Sequence, residues 1–115
     1  MTPEELNERL MSFALRVARM ANALPRSPAA RNAADQIIRS SSSAASNYRS
    51  SQRGRSRRDF SNKIGVALEK IDESAFWLEY IERGGFVTAA RLVELRTEAG
   101  ELTRILARIR KNTRD

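Results

Sequence analysis

The apolar residues of the chain recur every three or four positions in four separate stretches, which is the spacing of amphipathic helices. The stretches predict helices over residues 3–24, 28–49, 57–83 and 88–111 of a 115-residue chain. Nothing in the sequence alternates with the period of two that is typical of strands. Four helices of similar length with short connections predict one all-α domain over residues 1–115, an antiparallel up-down-up-down four-helix bundle.

Helix start and stop signals support these bounds. Thr2 to Glu5 has the form of a capping box, and Ser27-Pro28 repeats the start signal before the second helix. Ser56 to Asp59 resembles another capping box, with Asp in place of Glu. Gly84-Gly85 is a strong stop signal for the third helix, because glycine reaches positive φ at no steric cost.

The second predicted helix contains an unusual run of small residues, Ser40 to Ser46. One interpretation is a serine-rich linker, because serine is a mediocre helix former. The other is a helix whose small face allows a neighbouring helix to approach closely. The helical spacing of Ile37, Ser41, Ala44 and Tyr48 continues through the run in register and favours the second interpretation.

Charge is concentrated in one part of the sequence. The 21 Lys and Arg outnumber the 14 Asp and Glu by seven, and the computed pI is near 11. Residues 26–63 hold nine basic and two acidic side chains, so they carry the whole excess. Such a balance points to an anionic partner, with nucleic acid ahead of an anionic membrane surface. The chain has no His and no Cys, which excludes Cys/His zinc sites, disulfides and the Ser-His-Asp triad.

The basic side chains form two clusters that an up-down bundle would place at one pole. We predict that nucleic acid is bound by Arg49, Arg53, Arg55, Arg57, Arg58, Lys63, Arg108, Arg110 and Lys111. Arginine suits phosphate because its planar fork donates two parallel hydrogen bonds. The alternative is a solvated loop that keeps the protein soluble. Tyr48 and Phe60 flank the loop between the second and third helices, but the helical spacing places both in the core. We therefore expect contact with the nucleic-acid backbone without base readout.

The third helix carries an acidic and an aromatic group. Its acids, Glu69 to Glu82, could in principle hold Mg²⁺ or Mn²⁺, but carboxylate bundle sites for iron also need His. We expect these acids to pair with arginines, and we predict no metal, no cofactor and no catalytic residue. The aromatic group lies largely outside the apolar spacing that faces the core, and it consists of Phe76, Trp77 and Tyr80. They indicate either an oligomer interface or a third helix that is buried on most sides.

Two motifs are similar to those of a known family. Residues 46–49 read Ser-Asn-Tyr-Arg, and residues 73–79 read Glu-Ser-Ala-Phe-Trp-Leu-Glu. The chain resembles the four-helix bundle proteins related to the 23S ribosomal RNA intervening-sequence protein, over about residues 8–110. It is also similar to the accessory variability protein of diversity-generating retroelements.

The resemblance implies a ring-like homo-oligomer, a pentamer in related proteins, with no established enzymatic activity. It also implies a role with RNA, in the retroelement case beside a reverse transcriptase. On the matching positions we expect Asn47, Arg49, Glu73 and Glu79 to form a polar network. Asn47, Arg49 and Glu73 would meet where the second helix contacts the third.

These observations together predict a non-enzymatic, basic, oligomeric scaffold that binds nucleic acid, RNA more than DNA, mainly through phosphates. A reverse transcriptase is a candidate partner. The alternative is a structural or protein–protein interaction oligomer with no direct nucleic-acid role. The first residues lack the basic and apolar regions of a signal peptide. No apolar stretch approaches the roughly 18 residues of a membrane span. We therefore expect a cytoplasmic protein without membrane association.

Overall fold

A computed structural model describes residues 1–113 as four helices, with no strand among them. The helices are α1 (Pro3–Ala21), α2 (Pro28–Ser51), α3 (Arg57–Arg83) and α4 (Ala89–Thr113). Each packs antiparallel to the next in the chain, and α4 returns to contact α1. The bundle is an elongated rod of 44 × 23 × 21 Å. None of the four described helices is long and apolar enough to cross a membrane.

The caps explain where the helices begin. The Thr2 hydroxyl accepts the Glu5 N–H at 3.1 Å, and the Glu5 carboxylate accepts the Thr2 N–H at 2.9 Å. This confirms the predicted capping box. The Ser27 hydroxyl accepts the Ala30 N–H, and the Ser56 hydroxyl accepts the Asp59 N–H. Each cap satisfies a backbone donor that has no partner within its helix.

Three helix ends differ from the sequence prediction. α1 ends at Ala21, three residues before the predicted end, because the chain tightens there into turns with bonds three residues apart. Leu24 nevertheless stays buried, so its place in the apolar spacing was a correct guide to the core but not to the helix. α2 and α4 run two residues further than predicted, to Ser51 and Thr113.

The core consists of the apolar residues that the helical spacing marked, with large side chains on α1 and smaller ones on α2. Phe13, Leu10 and Val17 are fully buried, as are Ile64 and Ile71 of α3. After α3, Gly85 adopts a φ of +69° and turns the chain back. This brings Phe86 against the core.

The serine-rich run is helical, so the linker interpretation is wrong. Ser40 is buried on the face of α2 that meets α3, and its hydroxyl lies 2.8 Å from that of Ser74. One hydroxyl donates to the other, and the accepting hydroxyl can donate to a carbonyl of its own helix, that of Ile37 for Ser40 or Lys70 for Ser74. The buried polar groups are therefore satisfied, and two small side chains allow the backbones of α2 and α3 to approach closely.

Replacing a buried serine with a bulky residue tests this close approach. We expect Ser40→Leu to lower the free energy of unfolding by about 1–3 kcal/mol, because the extra methylenes have no space between α2 and α3. Ser42→Leu, on the exposed side of the same helix, should change it by less than about 0.5 kcal/mol. Urea denaturation measures both. Equal effects would show that α2 and α3 are not closely packed.

Candidate nucleic-acid interface

The end of α2, the start of α3 and the end of α4 meet at one end of the rod. We call this end the basic pole and define it by Arg49, Arg53, Arg55, Arg57, Arg58, Lys63, Arg104, Arg108, Arg110 and Lys111. The side chain of Arg110 lies directly over Gly65, where a Cβ atom would overlap its guanidinium group. That contact places the cluster on α4 beside the cluster on α3. Arg114 belongs to the same sequence cluster but lies outside the described residues.

Part of the basic sequence segment lies elsewhere. α2 has 24 residues, so it spans about 36 Å and runs nearly the whole length of the rod. Arg26 and Arg31 precede or open this helix and therefore lie at the opposite end. The segment from residue 26 to residue 63 is thus not one surface, and only its second half contributes to the basic pole.

Four arginines outside the pole are neutralised within the molecule. Arg9 of α1 binds Glu98 of α4, with Nε 3.0 Å from the carboxylate. Arg96 of α4 binds Glu82 of α3 at 2.9 Å. Two longer pairs join Arg16 to Glu94 and Arg83 to Glu79. Of the acids of α3, Glu82 therefore pairs with a neighbouring helix as predicted, whereas Glu79 pairs within its own helix. Together with the pairs of Arg9 and Arg16, the Glu82 pair links α4 to both of its neighbours.

Ion pairs are scarcer at the basic pole, where most of the cations form none with a carboxylate of the described residues. Arg53, Arg55 and Arg58 are exposed, and none makes an ion pair with a carboxylate of residues 1–113. The same holds for Arg108 and Lys111 at the end of α4. Lys63 is an exception, since it lies 3.4 Å from Asp59.

Two arginines also oppose the dipole of the helix they begin. Arg57 and Arg58 lie in the first turn of α3, where the helix dipole favours negative charge. Asp59 offsets part of this repulsion. Its carboxylate accepts the Arg55 N–H at 3.1 Å and pairs with Lys63, and these contacts lower its pKa. Packing and capping therefore do not account for positive charge at this position.

Acidic residues border the pole on one side. Glu4 and Glu8 of α1 share a groove of about 470 Å³ with Arg49. Glu5, by contrast, is turned back onto the Thr2 cap, and that hydrogen bond lowers its pKa. The positive surface therefore faces the α3 and α4 side of the pole, and Arg49 lies at its edge.

The polar network expected between Asn47, Arg49 and Glu73 does not form. The Asn47 amide donates to the carbonyl and hydroxyl of Ser43 within α2, and Glu73 is exposed. The Ser40–Ser74 contact fixes the register, so Asn47 is level with residue 67 of α3. Glu73 lies six residues further, about 9 Å along the axis. Glu79, the fourth expected member, pairs with Arg83 of its own helix.

The aromatic residues of α3 form an exposed cluster near the other end of the helix. Phe76 is 56% exposed and Tyr80 is 38% exposed, whereas Trp77 packs partly on the core. Ring centroids are 4.9 Å apart for Phe76 and Trp77, and 5.1 Å for Trp77 and Tyr80. Phe86 extends the cluster, 6.2 Å from Tyr80. The helical spacing of α3 does not mark Phe86 as a member of this cluster, although the Gly84-Gly85 turn indicates that the chain reverses beside it.

The acids of α3 do not form a metal site. Within residues 1–113, no three acidic side chains lie close enough together to hold a metal ion. Three of these acids are exposed to solvent: Glu69, Asp72 and Glu73.

The sequence profile of the 23S rRNA-intervening sequence protein family matches residues 5–108. The chain belongs to this family. A crystal structure from the S23 ribosomal protein family of Bacteroides thetaiotaomicron, of a protein with unknown function, is similar with a TM-score of 0.83. It is 27% identical, and the alignment covers 92% of this chain and 98% of that chain.

A search of curated proteins found no match. The family match confirms the main resemblance drawn from the motifs. The similar crystal structure supports the four-helix fold.

Proposed function

We propose that this protein is a non-enzymatic RNA-binding scaffold of the cytoplasm, with the basic pole as its RNA-binding surface. The observation that carries the proposal is the row of exposed arginines at Arg53, Arg55 and Arg58, whose guanidinium groups form no ion pair with a carboxylate of residues 1–113. Along the sides of the bundle four arginines pair with carboxylates, three of them across a helix contact. An external anion is the partner that this arrangement lacks.

RNA is favoured over DNA by the family to which the chain belongs, whose name refers to an intervening sequence of 23S rRNA. The pole presents its charge on a loop and three helix ends, a surface suited to phosphates on an irregular backbone. We propose further that the protein works as a homo-oligomer, a pentamer as in related proteins. Five copies would carry a net charge of +35, five times +7. A role beside a reverse transcriptase rests on the sequence resemblance alone.

A charge-matched pair of variants tests RNA binding at the pole. Arg53/Arg55/Arg57/Arg58→Ala lowers the net charge from +7 to +3. We expect it to weaken binding of a structured RNA by about 10–100-fold at 50 mM salt, because up to four phosphate contacts are lost. The slope of log K against log salt should fall by about one for each lost contact. Fluorescence anisotropy over a salt series measures both quantities.

The control removes the same charge from the opposite end. Arg19/Arg26/Arg31/Arg91→Ala also leaves +3, and all four side chains are exposed. This variant should bind within about threefold of wild type and keep its salt slope. Equal weakening in both variants would show that total charge, and not the pole, determines binding. Equally weak binding by wild type and the pole variant would refute the proposed function.

The exposed aromatic cluster supports a second candidate function, a protein–protein interaction oligomer with no direct nucleic-acid role. Phe76 and Tyr80 are among the most exposed large apolar side chains, and they form one continuous patch with Phe86. Aromatic side chains of this kind are enriched in protein interfaces. The two functions are compatible, because the patch and the basic pole lie toward opposite ends of α3.

Removal of the exposed rings tests the interface. We expect wild type to be oligomeric in multi-angle light scattering at micromolar concentration, and Phe76→Ser/Tyr80→Ser to shift it to monomer. The matched control is Met11→Ser/Leu15→Ser, which removes two exposed apolar side chains from α1. A wild-type monomer, or an oligomer that survives the aromatic substitutions, would contradict the interface.

A further inference from the structure

A cavity of about 860 Å³ opens at the basic pole, between the start of α1 and the end of α4. Its apolar lining includes Leu6, Tyr48, Phe60 and Ile105. The cavity falls within the range of small-molecule sites, roughly 300–1,000 Å³. It lies beside the ion pair between Arg9 of α1 and Glu101 of α4.

Two arginines of α4 also line this cavity. Arg104 and Arg108 line the cavity, are four residues apart on α4, and therefore project from one face of the helix. Both are exposed, and neither pairs with a carboxylate in the described part of the chain. Glu101 also lines the cavity, but its carboxylate lies 3.5 Å from Arg9. The site therefore joins an apolar interior to positive charge.

We infer that the cavity receives an unpaired nucleobase of the bound RNA while Arg104 and Arg108 hold the adjoining phosphates. This inference rests on the proposed function and specifies its substrate, an RNA with an unpaired nucleotide in preference to an uninterrupted helix. Sequence-specific proteins commonly take up splayed-out bases of RNA and stack them on aromatic side chains. Here the half-buried Phe60 supplies aromatic surface inside the cavity, beside the largely buried Tyr48.

Charge and polarity favour a base over an acyl chain. A fatty acid offers one carboxylate, whereas a nucleotide within a strand brings a phosphate on each side, one for each arginine. The Gln52 amide also lines the cavity and can bond to a base edge. The cavity adjoins the other arginines of the pole, so a strand that enters it can continue along positive surface. The sequence had suggested no base contact, because the spacing places Tyr48 and Phe60 in the core without showing that a cavity reaches them.

A comparison of two RNA hairpins tests the inference. The hairpins have the same number of phosphates, and one of them has a single unpaired nucleotide in its stem. We expect wild type to bind the bulged hairpin about tenfold more tightly, since a stacked base contributes on this scale. Ile105→Trp fills the cavity and should reduce the preference to less than twofold while leaving the affinity for the uninterrupted hairpin unchanged.

The controls separate the cavity from the surface around it. Val93→Trp adds the same ring at an exposed position of α4 near the other pole, and should keep the preference. Thr97→Phe is a second filling variant at an exposed lining position, in case Ile105→Trp fails to fold. A preference that survives in both filling variants would overturn the cavity as its source.

The outcomes distinguish this inference from the proposed function. Equal wild-type affinity for both hairpins, with strong salt dependence, would overturn the base-binding inference and leave RNA binding intact. No binding of either hairpin would refute the proposed function itself. Decanoate binding that the filling variants abolish, without a preference for the bulged hairpin, would assign the cavity to an acyl ligand.

Discussion

The contact between α2 and α3 through buried serines fixes the geometry on which the rest of the molecule depends. Small side chains allow the two helices to approach closely, and the hydrogen bond between Ser40 and Ser74 specifies their register. With that register set, the loop after α2 and the first turn of α3 project from one end of the rod. The end of α4 is then brought alongside by Arg110, whose guanidinium group lies over Gly65 of α3. The basic pole is a consequence of helix packing.

The molecule uses its charges in two ways. Along the sides of the bundle, carboxylates of α3 and α4 pair with arginines of neighbouring helices, as in the contact between Arg9 and Glu98. Surface pairs of this kind contribute about 0–1 kcal/mol each, so they adjust the packing of helices that the apolar core already holds together. At the pole, Arg53, Arg55 and Arg58 form no such pairs with the carboxylates of residues 1–113, and Arg58 lies where the dipole of α3 disfavours positive charge. Charge that the fold does not neutralise and that costs stability is best explained by an external anion.

The sequence predicted the helices and the core well, because each depends on local spacing and on capping residues such as Thr2 and Ser56. It also predicted that the basic cluster around the α2–α3 loop and the basic cluster at the end of α4 would share a pole. It failed for the network around Asn47 and Glu73, because residue spacing along one helix does not specify the level at which a partner helix meets it. The cavity beneath Arg104 was also beyond prediction, since it depends on how far α1 and α4 diverge.

The central claim is that arginines of the basic pole are present for a ligand and not for the fold, and one pair of variants tests it directly. Arg58→Ala relieves the dipole of α3, so it should raise the free energy of unfolding by about 0.3–1 kcal/mol and yet weaken RNA binding severalfold. Arg91→Ala makes the same change in the first turn of α4 at the opposite end, and should give the stability gain with unchanged RNA affinity. Urea denaturation and anisotropy on the two proteins measure both. A loss of stability in Arg58→Ala, or RNA affinity equal to that of wild type, would contradict the account.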